Sequence, residues 1–275
     1  MKYLRRLLGL FGNQVGQKVA FEIESGFFQL TPVLAEYPKS GGSLLFFVID
    51  HLIRRAEEFC DEVPHIYAAQ RYGIDIDQCT THIACASAMI MSRYAPLSPV
   101  KTHSLFDPRF RSVICLFRDP MAVMRSYFRH FKMHGSNEYD NLSELIFCRE
   151  NGLSAWIRFY ESYLNSTLNS LVFFCDYAKL TDSPASQVDI LLQSVYGLSL
   201  NEKGMQQVGR LFNLGYGTQL EDLVLGADPR RIYGGRFIRS RLPIKGDFDS
   251  LPAHFLDQCT SIQNRLRGLG KVGIA

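Results

Sequence analysis

The chain has 275 residues, long for one α/β domain but not requiring two, and its 47% hydrophobic and 12% aromatic content is ample for a large core. A formal net charge of +3 carries no argument for a polyanion, and no nucleic-acid partner is expected. No apolar run approaches the roughly 18 residues of a transmembrane segment, and seven cysteines without a CxxC pair fit reduced thiols and a cytoplasmic setting.

Residues 1–11 are basic and amphipathic, with Lys2, Arg5 and Arg6 among Leu4, Leu7, Leu8 and Leu10. The apolar stretch is too short and its end too poorly marked for a signal peptide. It reads as a first helix docked on the domain, within an extension over residues 1–20, with a weak membrane-surface contact as the alternative. Residues 21–36 alternate loosely and predict strands. The glycine-containing segment Tyr37-Pro38-Lys39-Ser40-Gly41-Gly42-Ser43 follows. Residues 44–60 carry apolar side chains at helical spacing and predict a long helix.

Residues 61–95 mix strand and helix signals in no clear order. They include Cys79-x-x-His82-x-x-Cys85, but nothing supplies the remaining ligands at a suitable spacing, so no metal is expected. After Pro96 and Pro99, residues 100–103 predict a short extended segment. Residues 111–117 form a near-continuous apolar run, as in a buried parallel strand. Asp119-Pro120 predicts a helix start, aspartate as N-cap and proline in the first turn, and that helix runs to about residue 131. Residues 153–164 predict a helix with Trp156, Phe159, Tyr160 and Tyr163 on one face. A second buried strand is predicted over 171–175, and helices over 189–195, 202–212 and 254–267. Residues 226–247 are rich in glycine, proline and arginine and read as a long loop. Alternating strands and helices predict a single three-layer α/β/α domain with a mainly parallel central sheet.

Three segments carry chemistry, each beyond the carboxyl end of a predicted strand, where ligands of open α/β sheets bind. The first is the strand–glycine loop–helix unit. Its backbone N–H groups and the following helix N-terminus make a P-loop-like anion cradle. Lys39 can reach a phosphate or bridging oxygen, Ser40 and Ser43 offer hydroxyls, and Gly41 and Gly42 let the backbone approach closely. The lysine precedes the glycines, whereas in GxxxxGK[ST] it follows them. The second is Arg118-Asp119-Pro120-x5-Ser126, where a guanidinium and a hydroxyl can converge on one phosphate beside a helix start. The third is Lys101-Thr102-His103. Residues two apart in an extended segment face the same side, so Lys101 and His103 point together, and a histidine beside a bound anion is suited to take a proton from a hydroxyl.

Taken together, these segments resemble the sulfotransferases that use 3′-phosphoadenosine-5′-phosphosulfate (PAPS), the cytosolic type in particular. The stretch from Tyr37 to Gly41 is similar to that family's 5′-phosphosulfate loop, and Arg118 and Ser126 stand eight apart as in its 3′-phosphate motif. Lys101-Thr102-His103 resembles the segment whose histidine is the base. Tyr177-x2-Leu180-x3-Pro184 resembles the stretch whose tyrosine approaches the adenine, and Arg241-x4-Gly246-Asp247-Phe248 the late motif whose arginine grips the 3′-phosphate. The five matches keep family order over residues 37–248. The sequence departs from the pattern at Gly42, where the family usually has threonine, at Leu44, where it has an adenine-packing tryptophan, and at Leu242, Pro243 and Phe248.

The resemblance implies sulfuryl transfer from PAPS to an acceptor hydroxyl or amine, with 3′-phosphoadenosine-5′-phosphate (PAP) as product. It implies His103 as general base, Lys39 stabilising the leaving oxygen and Lys101 assisting at the sulfuryl oxygens. Cofactor contacts fall to Lys39, Ser40, Gly41, Gly42, Ser43, Leu44, Arg118, Ser126 and Tyr177, then to Arg239 or Arg241 with Lys245 and Gly246. Arg230, Arg231, Arg236, Arg239 and Arg241 make the loop a candidate lid over an anionic cofactor. The acceptor is a small molecule or glycan, its pocket expected from loops at 61–95, 132–150 and 213–240. The rival readings are a P-loop-type nucleotide phosphotransferase, which requires Mg²⁺ and a different loop order, and a catalytically silent binding protein on the same fold.

Overall fold

A computed structural model describes residues 32–61, 99–108, 110–133, 138–166, 171–214 and 252–269. Strand β1 (Val33–Glu36) leads through the glycine loop into helix α1 (Gly42–Arg54), followed by the short α2 (Ala56–Phe59). Strand β2 (Val100–Thr102) and strand β3 (Ser112–Phe117) precede α3 (Pro120–Met133), α4 (Leu142–Phe147) and α5 (Leu153–Leu164). Strand β4 (Leu171–Asp176) runs directly into α6 (Tyr177–Asp182), then α7 (Pro184–Tyr196), α8 (Glu202–Leu214) and α9 (Ala253–Leu269).

The four strands form one parallel sheet in the order β2-β1-β3-β4. Side chains alternate across it and both faces are covered, as in a three-layer α/β/α fold, except at the start of β4, where Leu171 is exposed and the strand expected to be buried over 171–175 is buried only towards its end. Leu34, Ile114, Leu116 and Cys175 face a core built with α1, α2, α7 and α8. Val33, Ala35, Val113, Cys115, Phe117 and Phe174 face a second core built with α3, α4, α5 and α9.

This layering positions the site. From β1 the chain moves outward to β2, then returns past β1 to β3. The helix leaving β1 packs on one face of the sheet and the helix leaving β3 on the other. The carboxyl ends of β1 and β3 therefore open on a crevice at the point where strand order reverses, the usual ligand position in such sheets.

Local differences from the sequence reading have identifiable sources. The expected helix over 44–60 starts earlier, at Gly42, and breaks at Arg55, whose backbone (φ −124°, ψ 34°) leaves the helical region. The helix expected over 189–195 starts at Pro184, a residue suited to a first helical turn. Part of the expected 132–150 loop is helical: Asn141 caps α4 by accepting from Glu144 N–H at 3.0 Å, a cap visible in the sequence as Asn before a helical run, while Glu144 accepts from Asp140 N–H at 2.8 Å. The extension over 1–20, the Cys79/His82/Cys85 cluster and the arginine loop at 226–247 lie outside the described residues. Among the described residues, no helix is long and apolar enough to cross a membrane.

Candidate active site

The glycine loop is held by its backbone and by α5 beneath it. Ser40 N–H donates to Tyr37 O at 3.1 Å, closing a tight turn. Lys39 has φ +72° and Gly41 φ +107°. Gly41 has a second reason to lack a side chain, because a Cβ there would overlap the Tyr177 ring. The Tyr37 ring packs edge-on against Phe159 and Tyr127, and its hydroxyl donates to Gly152 O at 3.4 Å.

Ser40 is fully buried, its Oγ 3.2 Å from the Tyr160 hydroxyl. Tyr160 donates its one proton to Leu116 O at 2.9 Å, so Ser40 is the donor in the Ser40–Tyr160 pair. Its hydroxyl and N–H are thus both engaged within the protein, and Ser40 braces the loop, while Ser43 is the loop hydroxyl that meets a cation. The aromatic face of α5, legible as a hydrophobic stripe, is also a row of hydroxyls. Tyr163 donates to Ser104 O at 2.9 Å, pinning the segment after His103. Burial raises the Tyr160 hydroxyl well above its ordinary pKa of 10, so it stays a donor.

Glu36, the last residue of β1, is the centre of the charge arrangement. It is 1% exposed. One carboxylate oxygen accepts from Lys101 Nζ at 2.7 Å and the other from Gly42 N–H. Lys101 Nζ also donates to Ser43 Oγ at 3.0 Å. Burial pushes the Glu36 carboxyl up, but Lys101, His103 and the Gly42 N–H outweigh it and hold its pKa below the usual value of 4.5. The carboxylate is therefore charged. His103 Nδ1 lies 2.8 Å from Glu36 O, so Lys101 and His103 do converge, both on Glu36. Burial, then Lys101, then more weakly Lys39 lower the pKa of His103 below 6.5 against the opposing pull of Glu36.

Arg118 follows β3 at the other wall of the crevice. Its Nη1 donates to Lys39 O at 3.4 Å, and its guanidinium carbon stands 4.5 Å from the centroid of the Tyr177 ring, a cation–π contact. Tyr177 opens α6, which Asp176 caps by accepting from Ala178 N–H at 2.9 Å. The structure thus brings together Lys39, Gly41, Arg118 and Tyr177, and beside them Gly42, Ser43, Lys101 and His103. Ser126 stands half-buried on α3, after the Asp119 cap that accepts from Ala122 N–H at 2.7 Å. Leu44 is only 7% exposed and belongs to the core. Arg239, Arg241, Lys245 and Gly246 lie outside the described residues.

Two contributors carry no functional motif of their own. Tyr160 lies within a hydrophobic stripe, and periodicity does not reveal where a hydroxyl points. Glu36 carries a usable signal, a charge closing an otherwise apolar strand directly before the loop.

Loop N–H groups, a helix start, two lysines, an arginine and a histidine are brought together here, a set of groups that can meet anionic oxygens. Gly42 N–H and Lys101 Nζ already engage one anion, the carboxylate of Glu36. A family model described as sulfotransferase domain matches residues 32–216, more than half of the chain. No curated protein matches the chain.

Proposed function

The chain belongs to the sulfotransferase domain family, and from that premise we propose that it transfers the sulfuryl group of PAPS to a hydroxyl or amine of a small-molecule or glycan acceptor, releasing PAP. The observation that carries this reading is the meeting of the Lys39 loop, Arg118 and the Lys101–His103 pair at the carboxyl ends of β1, β2 and β3. When bound, PAPS supplies an activated sulfuryl group on a phosphate leaving group.

The residues divide the work as follows. His103 holds a proton on Nδ1, against Glu36 O, which leaves the Nε2 lone pair to take the acceptor's proton. Lys39 meets the charge that grows on the departing bridging oxygen, and Lys101 serves the sulfuryl oxygens from beside Ser43. Gly41, Gly42, Ser43 and the first turn of α1 contribute backbone dipoles, Ser40 fixes the loop from below, and Leu44 acts only indirectly, anchoring that first turn in the core. Arg118, Ser126 and one of Arg239 or Arg241 take the 3′-phosphate, with Lys245 and Gly246 completing the late motif. Tyr177 offers its ring to the adenine while Arg118 stacks on the same ring. Protein cations fill the role that a metal plays in many phosphoryl transfers, so the proposed reaction uses none.

The arginine loop at 226–247 is proposed as a lid, and residues 1–275 as one domain with an N-terminal extension. A cytoplasmic site of action is supported by the free thiols of Cys60, Cys115, Cys148, Cys175 and Cys259.

The test is transfer of label from sulfur-labelled PAPS to a panel of phenols, lipid alcohols and sugars, with PAP release followed in parallel. The proposal predicts matched labelled product and PAP with at least one acceptor class, both lost in Lys39→Ala. Label transfer undiminished in Lys39→Ala would contradict the assignment of the loop.

A further inference from the structure

We propose that Glu36 is a resident anion of the donor loop, and that the phosphosulfate binds by taking over the Gly42 N–H and the Lys101 ammonium that the Glu36 carboxylate holds. The inference rests on the reading of residues 37–43 as the PAPS site and adds a residue that sets its affinity.

Three observations carry it. Both Glu36 carboxylate oxygens are engaged by groups an incoming anion needs: Gly42 N–H, the first donor of α1, and Lys101 Nζ at 2.7 Å. The positive end of the α1 dipole therefore already faces a negative charge. Second, Lys101 reaches Ser43 Oγ at 3.0 Å, so the Glu36–Lys101 pair spans the start of α1. Third, residues 36 and 42 are sterically coupled. A Cβ on Gly42 would overlap the Glu36 carboxyl, whose atoms are its three nearest neighbours. The absent threonine at position 42 thus has a local cause, since that side chain and this carboxylate would compete for one space.

The electrostatic consequence follows from the pairing. Lys101 and Glu36 cancel beside the loop, so an anionic donor meets a cradle with one less net positive charge than its lysines and arginine suggest. Binding exchanges an internal anion for an external one. Such an exchange favours the charged phosphosulfate over neutral occupants and keeps Lys101 in place between turnovers.

The experiment is calorimetric titration of PAP into the full chain at fixed ionic strength, for wild type, Glu36→Gln, Lys101→Met and the double variant Glu36→Gln/Lys101→Met. The expected result is PAP binding about tenfold tighter in Glu36→Gln, about tenfold weaker in Lys101→Met, and near wild type in the double variant, whose net loop charge is unchanged; tenfold is the effect of one modest charge interaction. Glu36→Ser/Gly42→Ala removes the carboxylate and refills its space, and serves as the second protein should Glu36→Gln not fold; it too is expected to bind PAP more tightly than wild type. PAP affinity in the carboxylate-free variants equal to or weaker than wild type overturns the inference and leaves the donor reading standing. Absence of PAP binding in all of these proteins overturns the donor reading, and the inference with it.

Discussion

The Nδ1 atom of His103, the residue that follows β2, lies 2.8 Å from the main-chain oxygen of Glu36 at the end of the neighbouring β1. A carbonyl only accepts, so this contact puts the proton on Nδ1 and the lone pair on Nε2. The same residue holds Lys101 through its carboxylate. His103 and Lys101 are thus positioned from a single residue at the end of β1.

Replacing His103 with alanine removes the proposed base but none of the loop donors. Turnover is expected to fall by about two to four orders of magnitude, with PAP binding nearly unchanged. Steady-state kinetics and calorimetry on one preparation separate the two, and wild-type turnover in His103→Ala would remove His103 from the role.

The protonation of His103 sets a pH profile. Burial, with Lys101 and Lys39 in support, lowers its pKa below 6.5, so the neutral form that can accept a proton predominates at pH 7. Values of kcat/KM should rise with pH to a plateau, with the acid limb centred below 6.5 and absent from the residual activity of His103→Ala. An acid limb centred above that value would contradict the environment described.

Tyr160→Phe tests how the loop is supported. Tyr160 joins Ser40 Oγ to Leu116 O, and the phenylalanine variant leaves both buried groups without that partner. A loss of about 1–3 kcal/mol is expected, measured by chemical denaturation, together with weaker PAP binding. An unchanged midpoint would mean that the hydroxyl does not brace the loop.

Gly41 is constrained twice, by φ +107° and by the Tyr177 ring against its face. Gly41→Ala should lower stability by about 1–3 kcal/mol from the backbone conformation alone and displace Tyr177. Adding Tyr177→Ala should recover only the steric part, leaving the backbone part. Full recovery in the double variant would assign the whole cost to the ring contact.

The layers of the fold were legible because their signals are local and repeated. Apolar runs at β3 and β4, the Asp119-Pro120 start of α3 and the aromatic stripe of α5 each specify an element and a buried face. Lys101 and His103 were legible as a same-side pair through the two-residue period of a strand. What they share was not legible: Glu36 is adjacent to them only through the pairing of β1 with β2, a long-range register that local spacing does not encode. The bracing of Ser40 was hidden for a related reason, since the tyrosine that engages its hydroxyl lies 120 residues away in the chain.

The most direct test of the central claim is equilibrium binding of PAP to the full chain with and without Mg²⁺, in wild type and in Lys39→Ala/Arg118→Ala. The account predicts one saturable site, indifferent to Mg²⁺ and abolished in the double variant. No binding to wild type, or binding that needs Mg²⁺ and survives the loss of Lys39 and Arg118, would contradict it.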